Sequence, residues 1–215
     1  MTDLAEILGS RGARLGFKIA GVVVVVAVLV LAVWLWIRTA DARGQAALAA
    51  SADLVQQADG PSATGEARQK AVAALQQVLA QHGRTSAAPV AAYQLGNLQY
   101  QSGDYAAARG AYELALAKGA AGSVRTLAAS GVGYTWEAQK NYANAVTAYE
   151  ALVRQESPRQ FFFEEALLDL ARAQALAGKP TDAVATYERL LKEAPDTRRA
   201  GDVRARIAEL QAKRS

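Results

Sequence analysis

The sequence predicts an all-α protein: one N-terminal transmembrane helix, then an α-solenoid of repeated helix pairs that ends in a capping helix. Three observations carry that expectation. Residues 19–37 form an uncharged apolar run, one set of residue types recurs downstream at spacings of 37 and then 38, and the C-terminal stretch keeps an apolar stripe at helical spacing. The expected boundaries are a tail at 1–18, the membrane helix at 19–37, a linking helix with a degenerate first helix pair at 38–86, three repeats at 87–196, and the capping helix with a basic tail at 197–215.

The chain has 215 residues, 52% of them hydrophobic and 20% charged, which is enough apolar material for one core and an anchor and excludes global disorder. It contains no cysteine, so disulfides, thiolate metal sites, a cysteine nucleophile and lipoprotein acylation are excluded. Its 24 basic and 20 acidic residues are largely interleaved, unlike the concentrated basic stripe of a nucleic-acid binder. The C-terminal stretch is the exception. There Arg198, Arg199, Arg204, Arg206, Lys213 and Arg214 are only partly offset by Asp202 and Glu209, a pattern read as a solvated face, with contact to an acidic partner or lipid headgroups as the alternative. His82, the single histidine, follows a helical stripe beside a glycine and is assigned no role.

Ile19 to Ile37 spans about 28 Å as a helix, close to the roughly 30 Å hydrocarbon core of a bilayer. Ala40-Asp41-Ala42 has the form of a signal-peptidase site, but the run is longer than a signal h-region and ends in Trp34 and Trp36, which suit an interfacial anchor. Arg11, Arg14 and Lys18 before the helix outnumber Arg38 and Arg43 after it, which orients the N-terminus toward the cytoplasm. Gly12, Gly16 and Ala20 lie four apart, a spacing that chance in a Gly/Ala-rich chain accounts for.

The repeat columns pair Leu95-Gly96 with Val132-Gly133 and Leu170-Ala171. They continue through Ala108, Ala145 and Ala183, then Tyr112, Tyr149 and Tyr187, then Ala115, Leu152 and Leu190. These columns resemble the tetratricopeptide repeat (TPR), with a small residue in helix A, an alanine and an aromatic in helix B, and a closing proline at Pro195. Gly96, Gly133 and Ala171 are expected to meet Ala108, Ala145 and Ala183 where the two helices of a pair cross closely, and the tyrosines to fill the space between neighbouring helices. Gly103-Asp104, Lys140-Asn141 and Gly178-Lys179-Pro180 supply the A-to-B turns. The residues beyond a 34-residue period are expected in the B-to-A connections, near Gly119 to Ser123 and Ser157 to Phe163.

Upstream, Ala71, Leu75 and Val78 place a helix B at Glu66 to His82, partnered by Asp41 to Asp59 across a break at Gly60-Pro61-Ser62; only Gly44 interrupts the pattern of that first helix. Downstream, Ala200, Val203, Ile207 and Leu210 form the inner stripe of a cap. Three successive aromatics, Phe161-Phe162-Phe163, cannot all face one core, so two are expected inside and one at the surface.

In stacked helix pairs the helix A faces line the concave surface. That register predicts a partner-binding groove of Tyr93, Asn97 and Tyr100 from the first repeat, Ser130, Tyr134 and Glu137 from the second, and Glu165, Leu168 and Arg172 from the third. Such a mixed, aromatic surface suits unfolded or extended polypeptide segments. No nucleophile with a base, phosphate loop or metal cluster is legible, so a non-enzymatic protein without cofactor, small-molecule substrate or nucleic-acid partner is expected.

A tail, an anchor flanked by Trp, an Ala-rich helix and a small TPR domain together resemble the YfgM-type ancillary subunits of the bacterial SecYEG translocon. The resemblance implies an inner-membrane protein with its repeats in the periplasm, working with the translocon and a PpiD-like chaperone on emerging secretory proteins. A structural or regulatory envelope scaffold, in outer-membrane or cell-wall assembly or stress control, is the alternative. A cytosolic adaptor that clamps chaperone carboxylates is disfavoured, because only Asn97 fits and Tyr93 stands where a clamp lysine would be expected.

Overall fold

The computed structural model describes residues 11–60, 62–157 and 161–212, without the side chains of residues 11–17 and 19. The tail before Arg11, the side chains of Arg11, Gly12, Arg14 and Gly16, the turn residue Pro61, and Lys213 with Arg214 therefore lie outside the described residues. Among the described residues the chain is all-helical, with nine α-helices and no strand. The helices are α1 (Arg11–Ala58), α2 (Gly65–His82), α3 (Ala87–Gln101), α4 (Tyr105–Ala117), α5 (Gly122–Ala138), α6 (Tyr142–Val153), α7 (Phe163–Leu176), α8 (Pro180–Glu193) and α9 (Ala200–Ala212). They belong to two compact units, one ending at Arg43 and one starting at Gly44.

In the first unit, the large apolar side chains from Val22 to Ile37 are exposed along α1, as they would be in a helix solvated by lipid. By length and composition this helix is able to cross a membrane. The Arg38 guanidinium lies 4.4 Å from the Trp34 ring centroid. An aromatic and a cation at one end of an apolar run are the pair that anchors at a headgroup layer.

The second unit opens with the last turns of α1. Gly44 does not break the helix: it is buried, and a Cβ there would collide with the Thr85 side chain, so its role is close approach to the α2–α3 turn. Gln45 Nε2 donates to Ser86 Oγ at 2.7 Å, and Gln101 Nε2 to Asp59 Oδ1 at 2.6 Å. Between these two ties, Leu48, Leu54, Val55 and Ala58 of α1 pack with Leu75, Val78, Leu95 and Leu98.

Helices α3/α4, α5/α6 and α7/α8 are the A and B helices of three repeats in a TPR solenoid. Each A-to-B turn has the same construction. Gly103 and Gly178 have φ of 78° and 73°, the left-handed conformation glycine adopts without strain, and Lys140 takes φ 58° in the same place. The next helix is then capped by Asp104 or Asn141, whose Oδ1 accepts from Ala107 N or Asn144 N, or starts with Pro180.

Two details differ from expectation. What stands nearest to a Cβ position on the helix A glycines is a tyrosine of helix B rather than an alanine. A Cβ on Gly96 would fall 2.6 Å from the Tyr112 ring, and one on Gly133 would strike the Tyr149 ring, so the missing side chain makes room for an aromatic ring against helix A. Gly131, not singled out by the repeat, does the same from the other side, with a Cβ falling 2.7 Å from the Tyr112 ring. The extra residues are also not all in connections: α5 starts two residues earlier in the repeat register than α3, leaving only 118–121 between α4 and α5.

The core is continuous in kind but segmented along the solenoid, with clusters centred on Leu75 and Leu98, on Tyr112, and on Tyr149, Phe163 and Leu167. Of the three phenylalanines, Phe163 is fully buried, Phe162 is half-buried and Phe161 is 91% exposed. One aromatic is therefore inside, one at the edge and one in solvent. Val203 of α9 is buried, with Ile207 and Leu210 partly so, closing the last repeat.

Candidate partner-binding groove

Helical periodicity places the predicted groove residues on one side of α3, α5 and α7, and all nine are half-buried. In α3, the Tyr93 ring tilts against Tyr112 at a centroid distance of 6.0 Å, and Asn97 Oδ1 accepts a 2.9 Å hydrogen bond from the Tyr112 hydroxyl. Tyr100 lies edge-on to Tyr105 at 5.2 Å. Burial, and then Tyr105, raise the Tyr100 pKa, so its hydroxyl is neutral at physiological pH.

The second and third repeats are stitched together across this face. Tyr134 donates to Asp169 Oδ2 at 2.7 Å, and its ring packs edge-on against Tyr149 at 5.9 Å. Arg172 donates through Nε and Nη2 to the two Glu137 oxygens at 3.1 and 2.9 Å, while its Nη1 sits 2.7 Å from Asp169 Oδ1. Burial pushes the Asp169 pKa up, against the opposing pull of the Tyr134 hydroxyl and Arg172. Burial works against the charge on Arg172, but the two carboxylates outweigh it and hold the guanidinium protonated. Glu165 pairs with Arg199 at 2.8 Å.

The nine residues do not line one uninterrupted trough. Tyr93, Asn97, Ser130, Tyr134 and Glu165 surround a recess of about 190 Å³ together with Phe162. Glu165, Leu168 and Arg172 open on a cavity of about 850 Å³ whose other wall is Tyr187 and the cap residues Arg199, Val203, Arg206 and Leu210. Glu165 borders both, whereas Tyr100 and Glu137 border neither. The recurring columns do not reveal Asp169 or the α9 wall. Asp169 occupies the column of Gly131, where a buried carboxylate has no precedent in the neighbouring repeat, and the α9 stripe reads as a cap because its apolar side is narrow.

TPR family profiles match residues 65–123, 93–161 and 137–207, together covering most of the chain from α2 to α9. The chain belongs to the tetratricopeptide-repeat family. No curated protein matches it by sequence. Among solved structures, this TPR protein is similar to YrrB, described as a TPR protein with an unusual peptide-binding site, at 17% identity and TM-score 0.53, covering 68% of this chain and 69% of that one. It is also similar to nearly identical TPR-like repeats from Podosopora anserina, at 16% identity and TM-score 0.52, covering 81% of this chain and 98% of that one. Likenesses at these identities concern the fold, which serves as a scaffold for protein interaction.

Proposed function

We propose that this is a membrane-anchored TPR module that holds unfolded or partner polypeptide segments against its helix A face. The observation that carries the reading is the cavity of about 850 Å³ between α7 and α9, continued past Glu165 by the tyrosine-lined recess of α3 and α5. Its cations are already matched by Glu137, Asp169, Glu165 and Glu209, which favours extended, part-apolar chain over a strongly acidic ligand. The exposed apolar surface of α1 supports anchorage, and the basic residues before Ile19 support a periplasmic repeat domain. The resemblance to YfgM-type subunits supports a place beside the SecYEG translocon with a PpiD-like chaperone.

The test is site-specific photocrosslinking from positions 130 and 168 of the full chain in intact membranes, with Tyr93→Ala/Tyr100→Ala as the variant and circular dichroism as the control for folding. Capture of translocon, chaperone or secretory chains that the variant loses at unchanged helicity is expected. Undiminished capture by the folded variant would refute the groove. Protease added to spheroplasts should remove the repeat domain; protection there would reverse the topology.

A further inference from the structure

Over the first two helix pairs, the two edges of the solenoid carry charge of opposite sign. The connections from a B helix to the next A helix lie on one edge. Residues 82–86 carry Arg84 there, residues 118–121 carry Lys118, and neither stretch contains an acid. The turns on the other edge, residues 59–66 and 101–105, carry Asp59, Glu66 and Asp104 and no lysine or arginine. The two basic connections meet, since Lys118 Nζ lies 3.5 Å from the Cβ position of Gly83. Arg84 and Lys118 are exposed, and neither has an ion pair among the described residues.

Farther along this edge the signs mix. Glu156, which accepts a 2.7 Å hydrogen bond from Thr126, borders one recess together with Arg125. Glu113 and Arg125 both border the recess of about 440 Å³ between α4 and α6. Residues 154–164 and 193–199 carry both signs. The unmatched positive stretch is therefore Arg84 with Lys118, and it lies where the chain enters the repeat unit. There Gly44 packs on Thr85, and Gln45 Nε2 donates to Ser86 Oγ at 2.7 Å. Gly44 follows Ile37, the end of the apolar run, by seven residues. That path is about 10 Å as helix and at most about 25 Å by any route, against a headgroup layer roughly 5–8 Å deep. Arg38 and Arg43 lie within the same link, with Asp41 as its one acid.

We infer that the edge made by the α2–α3 turn and the α4–α5 connection docks on anionic phospholipid headgroups of the bilayer that α1 crosses. The phosphodiester anions supply the negative charge that Arg84 and Lys118 do not find within the chain. The short link keeps those headgroups at high effective concentration beside them. At an anionic surface each such cation shifts the docked-to-undocked ratio about fivefold. This rests on anchorage by α1 in the proposed function and not on the groove.

The experiment places the full chain in lipid nanodiscs and reads quenching of a cysteine-linked fluorophore by a lipid with a nitroxide headgroup. The chain has no cysteine of its own, so Ser123→Cys labels the basic edge and Ser62→Cys the far edge, both at exposed positions. Quenching at 123 is expected to rise severalfold when phosphatidylglycerol is added to phosphatidylcholine, with 62 unchanged. The rise should vanish in roughly 0.5 M NaCl, where the Debye length is about 4 Å. Arg84→Gln/Lys118→Gln, at unchanged helicity, should lower the docked-to-undocked ratio more than tenfold. Should that variant lose helicity, the lipid dependence of the parent chain decides alone. Equal quenching at 123 in both lipids, or a folded double variant that behaves as the parent does, would overturn the docking and leave the anchor standing. Release of the chain from vesicles by alkaline carbonate would overturn the anchor, and this inference with it, whatever the lipid charge.

Discussion

The ring of Tyr149 lies where a Cβ on residue 133 would stand. Helix α6 seats that ring against α5 because Gly133 has no side chain, and Tyr149 is completely buried there. Gly133→Ala is therefore expected to destabilise the domain by about 1–3 kcal/mol, the usual cost of overpacking. Gly110 is the internal control: it lies exposed in α4 with nothing near its Cβ direction, so Gly110→Ala should instead gain about 0.5–1 kcal/mol. Thermal melting of the two variants should move in opposite directions.

Lys140 occupies with φ 58° the position that glycine holds in the other two A-to-B turns. A left-handed residue with a Cβ costs roughly 1 kcal/mol, and the Lys140 side chain is exposed. Lys140→Gly should raise the denaturant midpoint by an amount close to that cost, without changing the slope of the transition.

Arg172 is the cation facing the buried carboxylate of Asp169, and it also holds Glu137. Arg172→Ala leaves that charge without its counterion, with an expected loss of about 3 kcal/mol, at the low end for a broken buried pair because Arg172 itself remains partly in water. Arg206→Ala, which removes a pair on an exposed helix surface, should cost no more than about 0.5 kcal/mol. Urea unfolding of both variants separates the two cases.

The Asp169 pKa is raised in the folded protein, with burial as the main cause. A carboxyl whose folded pKa is raised contributes stability that is fully present below its ordinary value of about 3.9 and is lost as pH rises through the folded value. Asp169→Asn removes that titration. The stability of the parent chain relative to the variant should therefore fall as pH increases from about 4, and a pH-independent difference between the two would contradict the assignment.

The helix order and the turns were legible because their signals are local. Asp104 and Asn141 cap the helices they precede, and Gly103 and Gly178 end the helices before them, all within four residues of chain. The tyrosine columns were legible because their period survives comparison of the chain with itself. The partner of each glycine was not, since a recurring Gly and a recurring Ala suggest one another by size alone, whereas the ring that fills the gap lies sixteen residues along in both repeats. Nor was the break in the groove at Glu165, which depends on how the Phe162 edge and the α9 wall enclose space on either side of it.

By itself the sequence determined that the chain is an apolar helix followed by stacked helix pairs, because hydrophobic periodicity, caps and a fixed repeat are properties of neighbouring residues and of their spacing. Only the tertiary structure decided which residues of those helices touch. The Tyr134–Asp169–Arg172–Glu137 network joins positions about 35 residues apart on α5 and α7, so it forms only where the packing of successive repeats brings those two helices side by side. The same packing buries Phe163 at one junction and leaves an open recess at the other, because whether two helices close over a gap depends on the volume of every side chain between them.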